Sequence, residues 1–330
     1  MREILVSENE KEQKLIKLLQ KFFKGQKDSF LFKMLRKKNI LLNGKRASGK
    51  ELLSIGDKVQ LYFSEESLKN LSSAGKEIEQ HWDSSYKKYI HYEDENLILF
   101  AKPAGLLSEN DESSSLSVNS LLSAYLLENG EVSAEQRATF RPGIANRLDR
   151  NTSGLILFGK NLASLQSLGR MMQEHRIEKH YYALVTGDFQ KEGLQESFIQ
   201  KDKKENKVYK KTEGEGEKIS AVFSVLHKYR DGNQIFTLLS VKLLTGKTHQ
   251  IRSQLSFLQH PILGDDKYGN REMNKLYKNK GIKRQLLHAY SLSFPAIEKE
   301  DILSSLSERN FILPMPEDFQ TLVKSCEEIL

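Results

Sequence analysis

The chain of 330 residues contains a single cysteine, Cys326, and no long hydrophobic run. One cysteine cannot form an internal disulfide, and it cannot by itself build a cysteine-based zinc site. No apolar stretch approaches the roughly 20 residues of a membrane-spanning helix, and the first ten residues, MREILVSENE, lack the apolar core of a signal peptide. The eight histidines show no metal-site spacing. We therefore expect a cytoplasmic protein that binds no metal and no membrane.

Positive charge is distributed unevenly along the chain. The net charge is +7, with 51 Lys and Arg against 44 Asp and Glu. Residues 1–60 hold 15 basic and 7 acidic side chains, whereas residues 61–330 hold 36 and 37. This concentration indicates a separate module that binds a polyanion, although a solvated lysine-rich helix face would give the same count. A prior of about 150 residues per domain also favours two domains.

The first 63 residues have the pattern of a small α/β unit. Apolar residues at helical spacing predict one helix in KLIKLLQKFFKG and a second in SFLFKMLRKKNI. ILLNGKRA predicts a strand that enters a hairpin turn at Asn43-Gly44, and IGDKVQLYF predicts the returning strand. The segment resembles the small RNA-binding module named after ribosomal protein S-four. The basic side chains expected to contact RNA here are Lys33, Arg36, Lys37, Lys38, Lys45 and Arg46.

The remainder of the chain predicts a linker and a larger domain. Residues 64–88 are polar and rich in serine, with Trp82 as their one large apolar anchor. After them, strand patterns such as LILFAK, LILFGK, YYALVTG, SAVFSVLHKY and QIFTLLSVKLL alternate with helix patterns such as SVNSLLSAYLLEN and ASLQSLGRMMQEH. The mixture predicts an α+β domain at 89–330, with a mixed, largely antiparallel sheet flanked by helices.

One stretch, NRLDRNTSGLILF at residues 146–158, holds an acid between two arginines. Asp149 precedes the buried LILF strand, in the kind of loop or strand end where scaffolds present functional groups. In an extended backbone Arg147 and Asp149 point to the same side, and the guanidinium favours the ionised acid. The pattern fits a structural Arg147–Asp149 salt bridge at least as well as catalysis.

A second stretch, LLTGKTHQIRSQLSFLQHPILGDDKYG, predicts a helix over residues 248–258 with Thr248 as its N-cap. Its predicted buried stripe consists of Ile251, Leu255 and Leu258. His249 and Arg252 lie one turn apart on a neighbouring face, beside Lys247, where they suit a phosphate or an anionic side chain. His249 equally fits a histidine whose hydrogen bonds are satisfied within the partly buried protein.

In a third stretch, EKHYYALVTG, strand alternation places Lys179, Tyr181 and Ala183 on one face and His180 and Tyr182 on the other. The simplest interpretation of any one of these aromatic residues is a place in the core.

Taken together and in this order, the three stretches resemble the RluA family of RNA pseudouridine synthases. The family carries Arg-Leu-Asp followed by Thr-Ser-Gly, as at 147–154, then Lys-x-Tyr-x-Ala, as at 179–183, and Thr-His-Gln-Ile-Arg, as at 248–252. ILFAKPAGL, HPILGDDKYG and LLHAYSLSFP fit as well, so the resemblance runs from about residue 90 to 296. The N-terminal module extends it to the arrangement of the branch that modifies large-subunit ribosomal RNA.

This resemblance implies an isomerase that breaks the N1–C1′ bond of a uridine in RNA, turns the base and rejoins it through C5, without a cofactor. It implies that Asp149 engages the ribose, either at C1′ or by removing the C2′ proton. Arg252 would pair with Asp149, and Tyr181 would stack on the flipped-out base, while Arg147 would fill the vacated space. The RNA contacts implied in this domain are those of Arg147, Arg150, Lys179, Lys247 and His249.

Two positions depart from the family pattern. Asn146 stands where the family commonly has histidine before Arg-Leu-Asp, and an amide cannot carry a proton charge. Lys247 stands where arginine is frequent, so the positive charge is kept and the fork geometry is lost. Asp265 and Asp266, in GDDKYG, are predicted as turn residues and not as a metal site or an acid pair.

Three functions from different classes remain as hypotheses. The first is a synthase acting on ribosomal RNA, with transfer RNA as the alternative substrate. The second is an RNA-binding or ribosome-assembly protein without chemistry. The third, a hydrolase of N-glycosides, would need a second carboxylate, and the sequence offers no obvious partner acid for Asp149. The modified uridines depend on RNA shape, and we expect a monomer.

Deletion of residues 1–63 is expected to weaken RNA binding or site choice, because this segment carries the excess positive charge. The catalytic domain is expected to stay folded. The measurement compares circular dichroism and modification of full ribosomal RNA by the truncated and complete chains, and unchanged modification would contradict the prediction.

Overall fold

The computed structural model describes residues 1–7, 9–23, 25–71, 81–111, 114, 116–132, 140–202, 205 and 207–329. Two separate sheets organise these residues, and helices pack on both of them. The predicted α+β fold class is therefore confirmed. None of the helices in the described part of the chain has the length and apolarity to span a bilayer.

A four-stranded antiparallel sheet with two helices forms the N-terminal unit. Its strands are β1 (Arg2–Leu5), β2 (Ile40–Leu42), β3 (Lys45–Arg46) and β4 (Lys58–Leu61), in the order β1-β4-β2-β3. Helices α1 (Leu15–Phe22) and α2 (Asp28–Arg36) bury one face each in a shared core with the sheet. Both predicted helices and the predicted turn at Asn43-Gly44 are confirmed. The strand that returns from this turn is β3, whereas β4, predicted as the returning strand, pairs with the other edge of β2. Strand β1 was missed, because only Ile4 of its four residues is buried and the strand shows no clear alternation.

The hairpin turn between β2 and β3 has the backbone that Asn-Gly favours. Asn43 and Gly44 both adopt positive φ, at 50° and 73°, as a type I′ turn requires. The Asn43 amide oxygen accepts the backbone N–H of Lys58, and Gly44 donates its own N–H to Gln60, each at 2.8 Å. The turn thereby presents the exposed β3 lysine and arginine to solvent.

The predicted linker is described in two parts. Helix α3 (Glu65–Leu71) packs Leu68 into the N-terminal core. Trp82 packs its ring on Tyr125 of the larger domain, with 4.8 Å between ring centroids. Residues 72–80 lie outside the described residues. The division into a module, a linker and a catalytic domain stays a prediction.

The larger sheet has twelve strands in the path β11-β10-β12-β13-β9-β14-β8-β6-β5, with β15 paired to β14, β16 to β12 and β7 to β8. In chain order they are β5 (Ile90–Glu93), β6 (Leu97–Lys102), β7 (Gly143–Ile144), β8 (Ser153–Gly159), β9 (Glu178–Thr186), β10 (Gly193–Asp202), β11 (Lys207–Lys211), β12 (Glu217–Asp231), β13 (Gln234–Leu243), β14 (Leu287–Ser293), β15 (Asn310–Ile312) and β16 (Glu327–Glu328). The β14–β8 pair is parallel, and the other described pairs are antiparallel. The sheet is therefore mixed and largely antiparallel, as predicted.

Helices cover both faces of the central strands. They are α4 (Val118–Glu128), α5 (Leu162–Gln173), α6 (Gln250–Phe257), α7 (Arg271–Lys278) and α8 (Glu317–Lys324). Ile98 and Phe158 pack with α4 and α6 on one face, whereas Leu97 and Leu157 pack with α5 on the other. Since β6 and β8 are buried on both sides, their sequences are continuous apolar runs instead of alternating ones.

Gly154 sits where the parallel pair β14–β8 is closest. It lies opposite Ala289 in the register and has a φ of 129°, a region that side chains rarely adopt. A Cβ at this position would lie 2.3 Å from the carbonyl oxygen of Ala289 and 2.6 Å from its nitrogen. The Thr-Ser-Gly of the sequence motif therefore needs its glycine for the strand pairing that supports the neighbouring loop.

Gly154→Ala is expected to lower the free energy of unfolding by about 3 kcal/mol or more, because backbone atoms cannot move out of the way of the new methyl group. Gly169→Ala is the matched control, since nothing lies within 4 Å of its Cβ position in helix α5. That control is expected to be neutral or to stabilise by about 0.5–1 kcal/mol. Urea unfolding of both variants is the measurement, and equal effects would contradict the steric explanation.

Candidate active site

The loop that carries Asp149 joins β7 to β8 and is held by a second loop after β6. The Ser108 hydroxyl donates to the carbonyl of Leu148 at 2.7 Å and accepts its N–H at 3.0 Å. Thr152 closes the turn by donating its N–H to the carbonyl of Asp149 at 3.0 Å. These bonds fix the backbone on both sides of the acid.

Lys102, the last residue of β6, forms hydrogen bonds to both of these loops. Its buried ammonium donates to the carbonyls of Leu106 at 2.8 Å, Arg150 at 2.9 Å and Pro103 at 3.1 Å. Burial lowers the pKa of Lys102 to about 7, and the charge of Asp149 opposes that shift. Sequence reasoning missed this residue as part of the site, although it lies in the ILFAKPAGL segment, because nothing in the pattern indicates a buried lysine.

Helix α6 begins later than predicted. His249 is its N-cap, with a left-handed backbone at φ 52°, and Thr248 is not the cap. No described side chain caps this helix end, and the side-chain oxygen of Gln250 instead accepts the N–H of Lys247 in the preceding loop at 3.1 Å. The predicted single buried stripe is also wrong, because every residue from Gln250 to Leu255 is buried.

Arg252 lies between two carboxylates at the centre of the site. Its Nη1 donates to Asp149 Oδ2 at 2.8 Å, while Nε and Nη2 donate to the two oxygens of Asp265 at 2.7 and 2.9 Å. The guanidinium also lies over the ring of Tyr268, 5.3 Å from its centroid. The pairing of Arg252 with Asp149 that the resemblance implies is therefore present. Asp265 holds the same guanidinium through two hydrogen bonds.

Asp265 is a second residue of this site that the sequence did not indicate, since it was predicted only as a turn residue. The predicted turn at GDDKYG is present, but Asp265 is completely buried whereas Asp266 is exposed. Burial alone would raise the pKa of Asp265, but Arg252 and the backbone N–H groups of Tyr268 and Lys267 together hold that pKa below its usual value. Asp265 is therefore an ionised anchor for Arg252. Among the described residues, no cluster of three or more potential ligands could hold a metal ion.

Strand β9 contributes Tyr181, and the predicted alternation of its faces is confirmed. Lys179, Tyr181 and Ala183 are buried, whereas Tyr182 on the opposite face is partly exposed and stacks on Tyr290, with 3.8 Å between ring centroids. Burial first, and then the charge of Asp149, raise the pKa of the Tyr181 hydroxyl. The phenol therefore stays neutral beside the carboxylate.

A cavity of about 530 Å³ lies at this site. From the predicted site, the cavity is lined by Asp149, Tyr181, Arg252, Arg147, Lys179, Lys247 and His249. Arg150 is not among the lining residues, because its side chain turns away to donate to the carbonyl of Gly105 at 3.1 Å. The six basic residues predicted in the N-terminal unit are also not among them.

Arg147 does not form the salt bridge with Asp149 that the sequence pattern allowed. It is 74% exposed at the cavity and pairs with Glu109 at 2.7 Å. Asn146, which replaces the histidine of the family pattern, accepts the N–H of Leu157 at 2.7 Å and donates to the carbonyl of Leu155 at 3.2 Å. Its amide therefore supports β8 with one donor and one acceptor, neither of which needs a charge.

His249 is the hydrogen-bonded, partly buried histidine that the sequence allowed, and its predicted contact with RNA stays a prediction. It lines the cavity, and its Nδ1 lies 3.0 Å from the hydroxyl of Tyr268, which accepts the N–H of Val208 at 2.8 Å. Burial lowers the pKa of His249. The imidazole is therefore a neutral, hydrogen-bonded part of the cavity wall.

Asp265→Asn is expected to lower the free energy of unfolding by about 3 kcal/mol, since it leaves the buried Arg252 charge without its main partner. Asp266→Asn is the adjacent control, and its exposed position predicts a change within about 0.5 kcal/mol. Urea unfolding at pH 7 measures both, and similar midpoints for the two variants would contradict the assigned role of Asp265.

Comparison with known proteins places the chain among RNA-modifying enzymes. The family model described as RNA pseudouridylate synthase matches residues 96–257. An uncharacterized RNA pseudouridine synthase of Mycoplasma pneumoniae is 31% identical over 90% of this chain and 90% of its own length. The ribosomal large subunit pseudouridine synthase C of Buchnera aphidicola is 29% identical over 97% of this chain and 96% of its own.

The fold has a counterpart among solved structures. The structure named human RNA pseudouridylate synthase domain containing 4 superposes with a TM-score of 0.57 at 21% sequence identity. The match covers 75% of this chain and 96% of that one, and it supports the fold. With the sequence relatives, it leads to one conclusion: the chain belongs to the RluA family of RNA pseudouridine synthases and is an isomerase that converts uridine to pseudouridine in RNA.

Proposed function

We propose that Asp149 is the catalytic carboxylate of this synthase and that its substrate is large-subunit ribosomal RNA. The observation that carries the first part is the 2.8 Å contact between Asp149 Oδ2 and Arg252, with Arg252 itself locked by Asp265. A fixed guanidinium at this distance holds the carboxylate through a charge-assisted hydrogen bond, while 26% of the Asp149 side chain remains exposed. Breaking a glycosidic bond at the ribose requires a carboxylate within reach of the sugar.

Only one oxygen of Asp149 is committed to Arg252. Within the described residues, no hydrogen bond engages Oδ1. That oxygen is therefore the one we assign to the ribose, where it would either attack C1′ or remove the proton from C2′. Both routes require that Arg252 holds one oxygen while the other faces the sugar.

Tyr181 is proposed to form the surface on which the target base stacks. The ring is buried in the cavity wall, and its raised pKa keeps the hydroxyl protonated at neutral pH. A neutral aromatic face next to a carboxylate favours stacking with an uncharged base. Arg147, which is held at the cavity by Glu109, is proposed to occupy the space that the flipped base leaves in the RNA.

The position of Asp265 disfavours hydrolysis of N-glycosides. A hydrolase of this kind commonly uses two carboxylates, one of which activates water. Asp265 shares Arg252 with Asp149, but it is fully buried, and both of its oxygens accept from Arg252. It is therefore not free to activate a water molecule, which supports isomerisation.

Ribosomal RNA as the substrate rests on two further observations. The second helix and the hairpin of the N-terminal unit expose Lys33, Arg36, Lys37, Lys38, Lys45 and Arg46, a set suited to RNA phosphates. Relatives that match nearly the whole chain are named as ribosomal large subunit synthases. Transfer RNA is the alternative, and the same assay distinguishes the two.

Asp149→Asn is expected to abolish tritium release from in-vitro transcribed large-subunit ribosomal RNA labelled at uridine C5, because an amide cannot act as the ionised group. Asp266→Asn, which alters an exposed acid outside the cavity lining, is expected to release tritium as the native chain does. Undiminished release by Asp149→Asn would refute the assigned carboxylate. Release from labelled transfer RNA alone would refute the assigned substrate.

A further inference from the structure

Four side chains with a lysine or arginine charge line the cavity within the described residues, and three of them have acid partners. Arg147 pairs with Glu109 at 2.7 Å, and Lys247 pairs with Glu217 at 2.9 Å. Arg252 is held by its two aspartates. The fourth charge, Lys179, has no carboxylate in contact, which makes it different from the rest.

Lys179 is buried without a polar partner of ordinary strength. Its residue is 9% exposed, and the contact of its ammonium is the sulfur of Met172 at 3.8 Å, a weak acceptor. Burial lowers the pKa of Lys179, and no nearby acid opposes that shift. A buried charge without a strong hydrogen-bonding partner destabilises a protein unless a counter-ion neutralises it.

The location of Lys179 indicates what that counter-ion is. Lys179 and Tyr181 share one face of β9, about 7 Å apart along the strand. A nucleotide whose base lies on Tyr181 would bring the phosphates of its own strand within reach of the flexible lysine side chain. The phosphates are the negatively charged groups of RNA.

We propose that Lys179 binds a phosphate group of the RNA strand that carries the target uridine. This inference rests on the proposed function, because it assumes that the target nucleotide enters this cavity. Lys179 is thus a substrate-binding residue whose ammonium lacks a counter-ion in the free enzyme and gains one in the complex. Its position would set how far the nucleotide enters, and so which ribose atoms face Asp149.

The first test is the stability of the full chain without RNA. Lys179→Met is expected to raise the melting temperature by about 2–4 °C, because it removes an uncompensated buried charge and keeps the volume of the side chain. Lys160→Met is the matched control, since Lys160 is equally buried but contacts Glu93 at 2.5 Å and Glu131 at 2.8 Å. The control is expected to lower the melting temperature, and a similar fall in Lys179→Met would overturn the proposal.

The second test is the salt dependence of RNA binding. Affinity for large-subunit ribosomal RNA is measured in the Asp149→Asn background, so that the RNA stays unmodified during the titration. Adding Lys179→Met is expected to weaken binding about 10-fold and to reduce the slope of log affinity against log salt by roughly 0.7–0.9, the contribution of one phosphate. Lys179→Arg is expected to retain the slope, and Lys160→Met to leave both quantities unchanged.

The two tests separate this inference from the proposed function. If the native chain releases tritium but Lys179→Met keeps the full salt slope, the phosphate contact is wrong and the synthase assignment stands. If the native chain releases no tritium from any RNA but the slope still falls, the contact stands and the assigned reaction fails. An unchanged slope together with absent release would reject both.

Discussion

The site depends on one buried interaction, the bidentate pair between Arg252 and Asp265. It combines charge with two parallel hydrogen bonds and lies where water cannot compete, so it fixes the plane of the guanidinium. The third arm of Arg252 then points at Asp149 with little remaining freedom. If Arg252 had one carboxylate partner, that carboxylate would have to neutralise the buried guanidinium and also remain available to a substrate. With two, one acid holds the charge in place while the other remains exposed to the cavity.

The fold brings Asp149, Arg252 and Asp265 together from three segments of the chain. Asp149 comes from the loop before β8, Arg252 from the first turn of α6 and Asp265 from the turn that follows that helix. The loop of Asp149 is fixed by Lys102 and by the Ser108 hydroxyl, which bind main-chain carbonyls and leave the motif side chains free. Backbone hydrogen bonds therefore position the Asp149 loop, and the Arg252–Asp265 pair positions the Asp149 side chain.

Much of the fold could be predicted because apolar patterns report burial directly, as the LILF runs of β6 and β8 show. Strands β10 and β11 escaped prediction because β10 is largely polar and exposed and β11 has three lysines among its five residues. Among site residues, local motifs indicated Asp149 and Arg252. Asp265 was missed because Asp265 and Asp266 are identical neighbours in the sequence, and only tertiary packing decides which of them is buried.

The parallel pairing of β8 with β14 has a consequence for the time at which the enzyme becomes active. Ser153 and His288 lie 135 residues apart, yet their side chains are in contact at the edge of the Asp149 loop. Because a protein is synthesised from its N-terminus, β8 is made long before β14, and pairings between distant parts of the chain form late. A nascent chain can thus complete the basic N-terminal unit while the Asp149 loop still lacks the support of β14. The part of the chain with the excess positive charge is therefore folded before the cavity is complete.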